Sequence, residues 1–228
     1  MFLLFWSSIV LSVLLGHYAN GHINKFEATV GCSQYNSNQG YNFAHPYFAT
    51  GGFRNLQVDR NGVRRIRLGV LGNNDGHIRL APVQFPYDRT VMNEIVLSGW
   101  DNTKTVVRRY TRTAPSAHTG QVVLKEQSSI GMMSQFEPLM FTLAVHPDGT
   151  VQFTNDKDSR PFLEFKDASL SANYVSFCNW DLSLVFFYDC PLEQEQQFCE
   201  GGLVLKKKYE ELTCVKNGNR SEPVEIGN

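Results

Sequence analysis

Apolar and polar residues alternate along several short stretches of this chain. In "VRRIRLGVLGNNDGHIRLAPV" (63–83), aliphatic residues recur at every second position, with arginines at several of the positions between them. This period of two is typical of a β-strand with one buried face. The residues "NNDG" separate two such runs, so the pattern predicts a hairpin with an Asp-Gly corner. On that hairpin, Arg65, Arg67 and Arg79 would share an outward face as a small basic stripe.

Two more hairpins are predicted further along the chain. "FTLAVHPDGTVQF" (141–153) alternates on both sides of a Pro-Asp-Gly turn. "EIVLSGWDNTKTVVRRY" (94–110) alternates on both sides of a polar corner. Three other stretches have strand composition, namely "GQVVLKEQ" (120–127), "YVSFCNW" (174–180) and "LSLVFFY" (182–188).

The overall pattern indicates an all-β protein. After the N-terminal apolar run, no window of a dozen residues keeps a clear helical period. Many short strands without crossover helices predict two antiparallel sheets packed face to face, as a β-sandwich or a jelly-roll-like fold. We expect this domain to span residues 22–189, and the polar, cysteine-bearing residues 190–228 to form a short disulfide-pinned tail.

The N-terminus has the composition of a targeting segment. Residues 1–21 form an uncharged apolar run of signal-peptide length that ends in small residues. We interpret it as a cleaved secretory signal, which predicts a secreted protein; a retained anchor is the alternative. No other stretch is apolar enough to cross a bilayer, so no membrane span is expected.

Charge and cysteine usage restrict the partners. With 21 basic and 22 acidic side chains, the net charge of -1 provides no field to attract nucleic acid. In an exported chain we expect disulfides, and an odd number leaves one thiol free or paired with a second chain in a dimer. The sequon at Asn219 predicts glycosylation. The five cysteines are Cys32, Cys178, Cys190, Cys199 and Cys214.

Several segments resemble a known animal family. They include "GHIRLAP" (76–82), "EIVLSGWDNTKTVVRR" (94–109), "FEPLMFTLAVHPDGTVQF" (136–153), "RPFLEFKDAS" (160–169) and "YVSFCNWD" (174–181). Over about residues 54–189 the chain is similar to the farnesoic acid O-methyltransferase-like domain. The resemblance implies a β-rich module, and the family name implies methyl transfer from S-adenosylmethionine to a sesquiterpenoid acid.

The residues themselves do not favour that chemistry. A common S-adenosylmethionine site needs a strand, a glycine-rich turn and a helix, and the nearest candidate, "RLGVLGNNDG" (67–76), is followed by a strand pattern. The histidines are scattered, with no pair at metal-ligand spacing. We therefore expect no catalytic residue and no cofactor, with S-adenosylmethionine kept for the alternative of an enzyme.

One loop contains candidate metal ligands. Asn155, Asp156 and Asp158 lie close together after a predicted strand, where oxygen ligands for calcium could gather. The simpler alternative is a polar loop, because no complete calcium-binding loop is visible.

The corner at Trp100 suggests a binding surface. Ile95 and Leu97 share the parity that faces the core, so Trp100 leans outward on the other face. A three-residue corner at 101–103 would set Trp100 opposite Lys104, with Arg108 further along the same face. The candidate ligand-binding residues are Trp100, Asp101, Asn102, Lys104 and Arg108.

An outward indole among short polar side chains is typical of a sheet-surface glycan site. In the alternative, the tail or the N-terminal segment covers Trp100. A lipid slot between the sheets is a further possibility. The expectation is a secreted, non-enzymatic recognition module for a glycan or an extracellular protein; the runner-up is the methyltransferase.

Overall fold

A computed structural model describes residues 25–192 and, as backbone only, three later strands: β14 (Phe198–Cys199), β15 (Leu203–Lys208) and β16 (Glu211–Lys216). The chain forms two compact units, Met1–Pro191 and Leu192–Asn228. In the second unit, the three strands form an antiparallel sheet of their own. The predicted signal segment and Asn219 lie outside the described residues, as do the side chains of Cys199 and Cys214.

The described residues of the first unit, 25–191, consist mainly of strands, with three short turns of helix. The turns are two 3-10 segments, Glu27–Thr29 and Thr50–Gly52, and the single turn α1 (Gly99–Asn102). No helix in the described part of the chain is long and apolar enough to cross a membrane. The strands are β1 (Ser33–Ser37), β2 (Tyr47–Ala49), β3 (Gln57–Val58), β4 (Arg64–Leu71), β5 (Gly76–Ala81), β6 (Thr90–Ser98), β7 (Lys104–Ala114), β8 (Ala117–Ser128), β9 (Leu139–Val145), β10 (Thr150–Asn155), β11 (Leu163–Lys166), β12 (Tyr174–Asn179) and β13 (Leu184–Cys190).

These strands form two antiparallel sheets, which confirms the predicted fold class. Sheet A has the order β1-β13-β4-β9-β10-β11, and β3 pairs with β4 beside this path. Sheet B has the order β2-β12-β5-β6-β7-β8. The stretches predicted as separate strands in 120–127, 174–180 and 182–188 are β8, β12 and β13.

One hydrophobic cluster fills the space between the sheets. Most residues of the predicted core parity are buried there, including Leu68 of β4, Leu80 of β5 and Leu97 of β6. Aromatic rings complete the packing, and Phe177 stacks on Phe186 with 4.8 Å between ring centroids. Burial of this apolar surface is the main force that holds the two sheets together.

The prediction of a hairpin in residues 63–83 is wrong. β4 belongs to sheet A and β5 belongs to sheet B, so "NNDG" carries the chain across the sandwich instead of reversing it within one sheet. Asp75 makes the turn with a left-handed φ of 54°, and its N–H donates to the carbonyl of Ser98 at the end of β6. Alternation specifies which face of a strand is buried, but it does not specify the strand's partner.

The predicted basic stripe is wrong for the same reason. Arg79 lies on sheet B and is fully buried, while Arg67 lies on sheet A. Arg67 is also buried, and its Nε donates to Asp156 Oδ2 at 2.9 Å. Of the three, Arg65 is partly exposed, and it pairs with Asp59 at 2.7 Å.

The other two hairpins are present. β9 and β10 are joined by the Pro-Asp-Gly turn, where Gly149 has a φ of 82° and a Cβ would come within 2.6 Å of the Asp167 carbonyl oxygen. β6 and β7 also pair, but their corner is longer than predicted. Gly99, and not Trp100, bridges to Lys104.

A disulfide joins Cys32 to Cys190, across 158 positions of sequence. It links the segment just before β1 to the end of β13, the strand that pairs with β1. Among the cysteines that the structure describes in full, Cys178 carries a free thiol, and it is buried. A folded chain could therefore not use Cys178 for a disulfide-linked dimer without opening sheet B.

Removing this disulfide should destabilise the first unit. Cys32→Ala/Cys190→Ala is expected to lower the free energy of unfolding by about 2–5 kcal/mol, because the cross-link restricts a long loop of the unfolded chain. Urea unfolding followed by tryptophan fluorescence measures this change. A reductant should bring the wild type close to the double variant and leave that variant nearly unchanged. Equal stability of the oxidised wild type and the double variant would contradict the expectation.

Candidate functional site

The face of sheet B that points away from the core is polar. Because side chains alternate along β5 and β6, the residues between the core positions project to this second face. They include His77 and Arg79 from β5, and Glu94 and Val96 from β6. β7 continues the same face, since Arg108 is directly opposite Glu94.

An N-terminal segment, residues 40–47, covers part of this face. The Tyr41 N–H donates to the carbonyl of Trp180, and the Gly40 N–H donates to Asn179 Oδ1. The rings of Tyr41 and Phe43 lie 4.8 Å and 4.3 Å from the guanidinium carbon of Arg79. The segment therefore excludes water from the polar centre of the sheet.

Arg79 and Glu94 form a fully buried ion pair beneath this cover. Their side chains are both 0% exposed, and Arg79 Nε donates to Glu94 Oε1 at 2.9 Å. Tyr41 Oη donates to the other carboxylate oxygen at 3.2 Å. Burial raises the pKa of Glu94, but the contacts with His77 and Arg79 outweigh burial and hold it well below its usual range.

Beside the covered region, an open pocket of about 430 Å³ lies at one end of sheet B. His77, Val96 and Arg108 contribute to its wall from the sheet itself. The rim comes from three connecting segments and consists of Asn74, Asp75, Trp100, Asp101, Trp180 and Asp181.

Strand register brings the three rim segments together. Gly76, the first residue of β5, pairs with Leu97 near the end of β6 and with Asn179 at the end of β12. The residues just before β5, just after β6 and just after β12 must then meet at the same end of the sheet. The pocket is thus a consequence of how three non-consecutive strands align.

Trp100 stands on an unusual left-handed turn. Ser98, Trp100, Asp101 and Asn102 all have φ between 50° and 60°, a region that costs non-glycine residues about 1–3 kcal/mol each. Asn102 anchors this turn, since its Nδ2 donates to the Met133 carbonyl at 2.7 Å and its Oδ1 accepts from the Met133 N–H at 3.1 Å. The turn holds Trp100 and Asp101 at the pocket.

Both pocket tryptophans keep a large exposed area. Trp100 is 47% exposed and Trp180 is 56% exposed. The described part of the N-terminal segment packs against Arg79, and the Trp100 side chain keeps about half of its surface exposed beside it. Lys104 Nζ lies 4.8 Å from the Trp100 ring centroid, and the guanidinium carbon of Arg108 lies 5.6 Å from it.

The structure brings only some of the predicted site residues to the pocket. Trp100, Asp101 and Arg108 line it, whereas Asn102 supports the turn and Lys104 contacts the Trp100 ring while pairing with Glu126. Sequence reasoning missed the other rim residues. The pattern places Asn74 and Asp75 in a hairpin corner and Trp180 at the end of a strand, and it contains no signal that joins these residues to Trp100.

Negative charge dominates the pocket wall. Asp75, Asp101 and Asp181 line it together with a single guanidinium, that of Arg108. Burial raises the pKa of Asp75, His77 lowers it, and the neighbouring carboxylates of Asp181 and Asp101 raise it further. Asn74 is 8% exposed, and its Oδ1 has no hydrogen-bond partner among the described residues.

A second cluster, His77, Glu94 and Cys178, has metal-ligand chemistry. Its donor atoms lie within 4.8 Å of one another, on three adjacent strands. His77 Nδ1 lies 3.4 Å from Glu94 Oε1. However, Glu94 already pairs with Arg79, and Arg108 lies 3.9 Å from it, so two positive charges oppose a cation there. Burial also raises the pKa of the Cys178 thiol to about 12.

The predicted calcium ligands lie at the end of β10 and in the loop after it, and the side chains of two of them are already engaged. The Asp156 carboxylate pairs with the buried Arg67, and Asn155 Oδ1 accepts from the Lys157 N–H at 3.1 Å. The Asp158 N–H donates to the Asn155 carbonyl. Calcium binding there stays a prediction.

A comparison with protein families identifies the domain. The model described as farnesoic acid O-methyl transferase matches residues 41–192, more than half of the chain. The chain belongs to this family. The part that matches the farnesoic acid O-methyl transferase family includes the covering segment from Tyr41 onwards and the whole pocket wall.

Solved structures show only distant likenesses. A native glycosidic hydrolase matches with 11% identity and a TM-score of 0.37, over 69% of this chain and 87% of its own. A Bacillus licheniformis β-glucanase matches with 8% identity and a TM-score of 0.33, over 69% and 95% of the two chains. No curated protein matches the chain. Likenesses at this level assign no activity to this member of the farnesoic acid O-methyl transferase family.

The buried ion pair gives a test of how the site is held together. Glu94→Gln should lower the free energy of unfolding by about 3–5 kcal/mol near neutral pH, because it leaves the Arg79 charge buried without a partner. Since folding lowers the pKa of Glu94, its stabilisation is present above the ordinary carboxyl pKa of about 4.3 and is lost as the pH falls towards the folded-state value.

Urea unfolding at about pH 7 and about pH 3 measures both effects. The difference between the wild type and Glu94→Gln should shrink at the lower pH. Glu164→Gln is the matched control, because Glu164 is exposed and accepts one hydrogen bond from Gln152. Equal losses in the two variants would show that the Arg79 pair does not stabilise the sheet.

Proposed function

We propose that this protein is a secreted recognition module that binds a saccharide in the pocket at the end of sheet B and does not transform it. The observation that carries the proposal is the pair of half-exposed tryptophans, Trp100 and Trp180, on the rim of one polar pocket. Large exposed indoles cost solvation free energy, so two of them at one concave site favour a ligand that covers them.

The wall of the pocket has the chemistry that a sugar needs. Indole rings stack on the apolar C–H faces of a pyranose ring, and carboxylate and amide groups bond its hydroxyls. Asp101 and Asp181 lie directly after Trp100 and Trp180 in sequence, so each ring has an acceptor beside it. The volume of about 430 Å³ lies within the range of small-ligand sites.

The pocket is also built to keep its shape. Its rim is attached to the aligned ends of β5, β6 and β12, and Asn102 ties the left-handed turn to Met133 at both its amide oxygen and its amide nitrogen. A preformed site loses less conformational entropy when a weakly binding ligand such as a sugar docks. The disulfide at Cys32 and Cys190 fits a role outside the cell.

Substitution of the two tryptophans tests the proposal. Trp100→Ala and Trp180→Ala should each weaken saccharide binding about tenfold or more, a loss of about 1.4 kcal/mol of contact with the ring face. A glycan array selects the ligand, and isothermal titration calorimetry measures its affinity. Phe85→Ala is the matched control, because Phe85 is a similarly exposed aromatic residue in the loop at the other end of β5 and β6.

Unchanged affinity in both tryptophan variants would remove the pocket as the binding site. A matching loss in Phe85→Ala would point to a general effect of removing surface aromatics. Since both tryptophans are about half exposed, we expect all three variants to keep the urea midpoint of the wild type within a small margin.

Methyl transfer is the second candidate, because the family's name favours it. In the described residues, the glycines considered for a cofactor loop do not precede a helix: Gly69 lies within β4 and Gly72 lies in the crossing to sheet B. Titration with S-adenosylmethionine is expected to give no heat, and labelled cofactor with farnesoic acid is expected to give no labelled ester. If the wild type forms labelled ester, and Trp100→Ala or Asp75→Asn abolishes that turnover, then the pocket is catalytic. That result would overturn saccharide recognition as its function.

A further inference from the structure

We propose that the pocket selects saccharides that carry a protonated amine, such as β-1,4-linked glucosamine oligomers. This inference rests on the saccharide-binding function proposed above and narrows it to one class of ligand. Within the described part of the protein, it derives from carboxylates on the pocket wall that form no ion pair and from an amide oxygen there that accepts no hydrogen bond.

The carboxylates on the wall lack cationic partners. Asp75, Asp101 and Asp181 form no ion pair with any lysine or arginine in the described residues. The nearby Arg108 lies 3.9 Å from Glu94 and 5.6 Å from the Trp100 ring, so its charge is directed to those groups. Three carboxylates around a pocket with one guanidinium leave a net negative potential that attracts a cation.

A buried acceptor points to a ligand that donates hydrogen bonds. Asn74 is 8% exposed, and its Oδ1 accepts no hydrogen bond from the described residues although it lines the pocket. A buried oxygen without a donor costs about 1–3 kcal/mol. An ammonium group supplies three N–H donors and a positive charge, which matches Asn74 and the aspartates at once.

The tryptophans add attraction for a cation. Lys104 Nζ already lies 4.8 Å from the centroid of the Trp100 ring, which shows that this indole holds a positive group at cation–π distance. Trp180, at 56% exposure, has free area at the same pocket. An amino sugar presents both an apolar ring face and a cation to these indoles, whereas a sugar that carries a carboxylate or a sulfate would be repelled by the aspartates.

The spread of the aspartates favours an ammonium-bearing ligand over a bare metal ion. Among the described residues, the one cluster of three or more His, Cys, Asp or Glu donors within 4.8 Å of one another is His77, Glu94 and Cys178. The three pocket aspartates therefore do not converge on one point as ligands of a calcium ion must, with Ca–O distances of about 2.3–2.6 Å. A sugar-sized cation can reach them separately.

Three trisaccharides that differ only at C2 make the test specific. They are the β-1,4-linked trimers of glucosamine, N-acetylglucosamine and glucose, titrated into the full protein by calorimetry at about pH 6, which is below the ordinary pKa range of an amine. The glucosamine trimer should bind at least tenfold more tightly than the other two. Its advantage should fall at high salt, because screening weakens exposed charge pairs.

Asp101→Asn and Asp181→Asn should each lower the ratio of the affinity for the glucosamine trimer to that for the glucose trimer by several fold, because Asn keeps an oxygen acceptor for a hydroxyl but loses the negative charge that attracts the amine. Both side chains are exposed, so these variants are expected to fold. Asp158→Asn, in the exposed loop between β10 and β11, is the matched control and should keep the wild-type preference. A preference that survives in both pocket variants would overturn the assignment of these carboxylates.

The outcomes separate this inference from the proposed function. Equal binding of the three trimers would refute selection of an amine and leave saccharide recognition standing. Failure of all three trimers, together with an empty glycan array, would contradict saccharide recognition itself. Binding of trilysine as tight as that of the glucosamine trimer would show that charge alone is recognised, and would overturn the assignment to an amino sugar.

Discussion

The buried ion pair between Arg79 and Glu94 is the constraint on which sheet B and its pocket depend. Two charges with no solvent exposure are tolerated only if each stays within contact of the other, so β5 and β6 must keep the register that sets Arg79 opposite Glu94. The same register aligns the strand ends that form the pocket rim. It also requires the cover provided by Tyr41 and Phe43, whose rings contact the guanidinium.

This arrangement divides the polar face of sheet B into two parts with different roles. The part beneath residues 40–47 is closed, and Arg79 and Glu94 pair with each other there. The part at the end of the sheet is open. Among the described residues it leaves three carboxylates without an ion pair and a buried amide oxygen without a hydrogen bond, beside two half-exposed indoles. Polar groups that have no hydrogen-bond or ionic partner within a folded protein are commonly satisfied by a ligand.

Membership of the farnesoic acid O-methyl transferase family and the chemistry of the pocket carry different information. Family membership follows from residues 41–192 as a whole, including many that only build the sandwich. A fold supports many functions, and the function depends on the groups grafted onto it. Here those groups are aromatic and acidic, and they lie on connecting segments whose positions the strands hold rigidly.

The sequence alone determined the fold class and the face on which each strand is buried, because a period of two depends only on local geometry. The parity of Leu97 predicted an outward Trp100, but β6 ends at Ser98, and a left-handed turn rather than strand alternation sets the position of the exposed indole. Strand partners required the tertiary structure: β4 and β5 look like one hairpin, yet they lie in different sheets, since side chains far apart in sequence decide which strands pack together. Asp75 and Trp180 lie beside Trp100 at one pocket because β12, β5 and β6 are neighbours in sheet B, and the sequence pattern does not specify that arrangement.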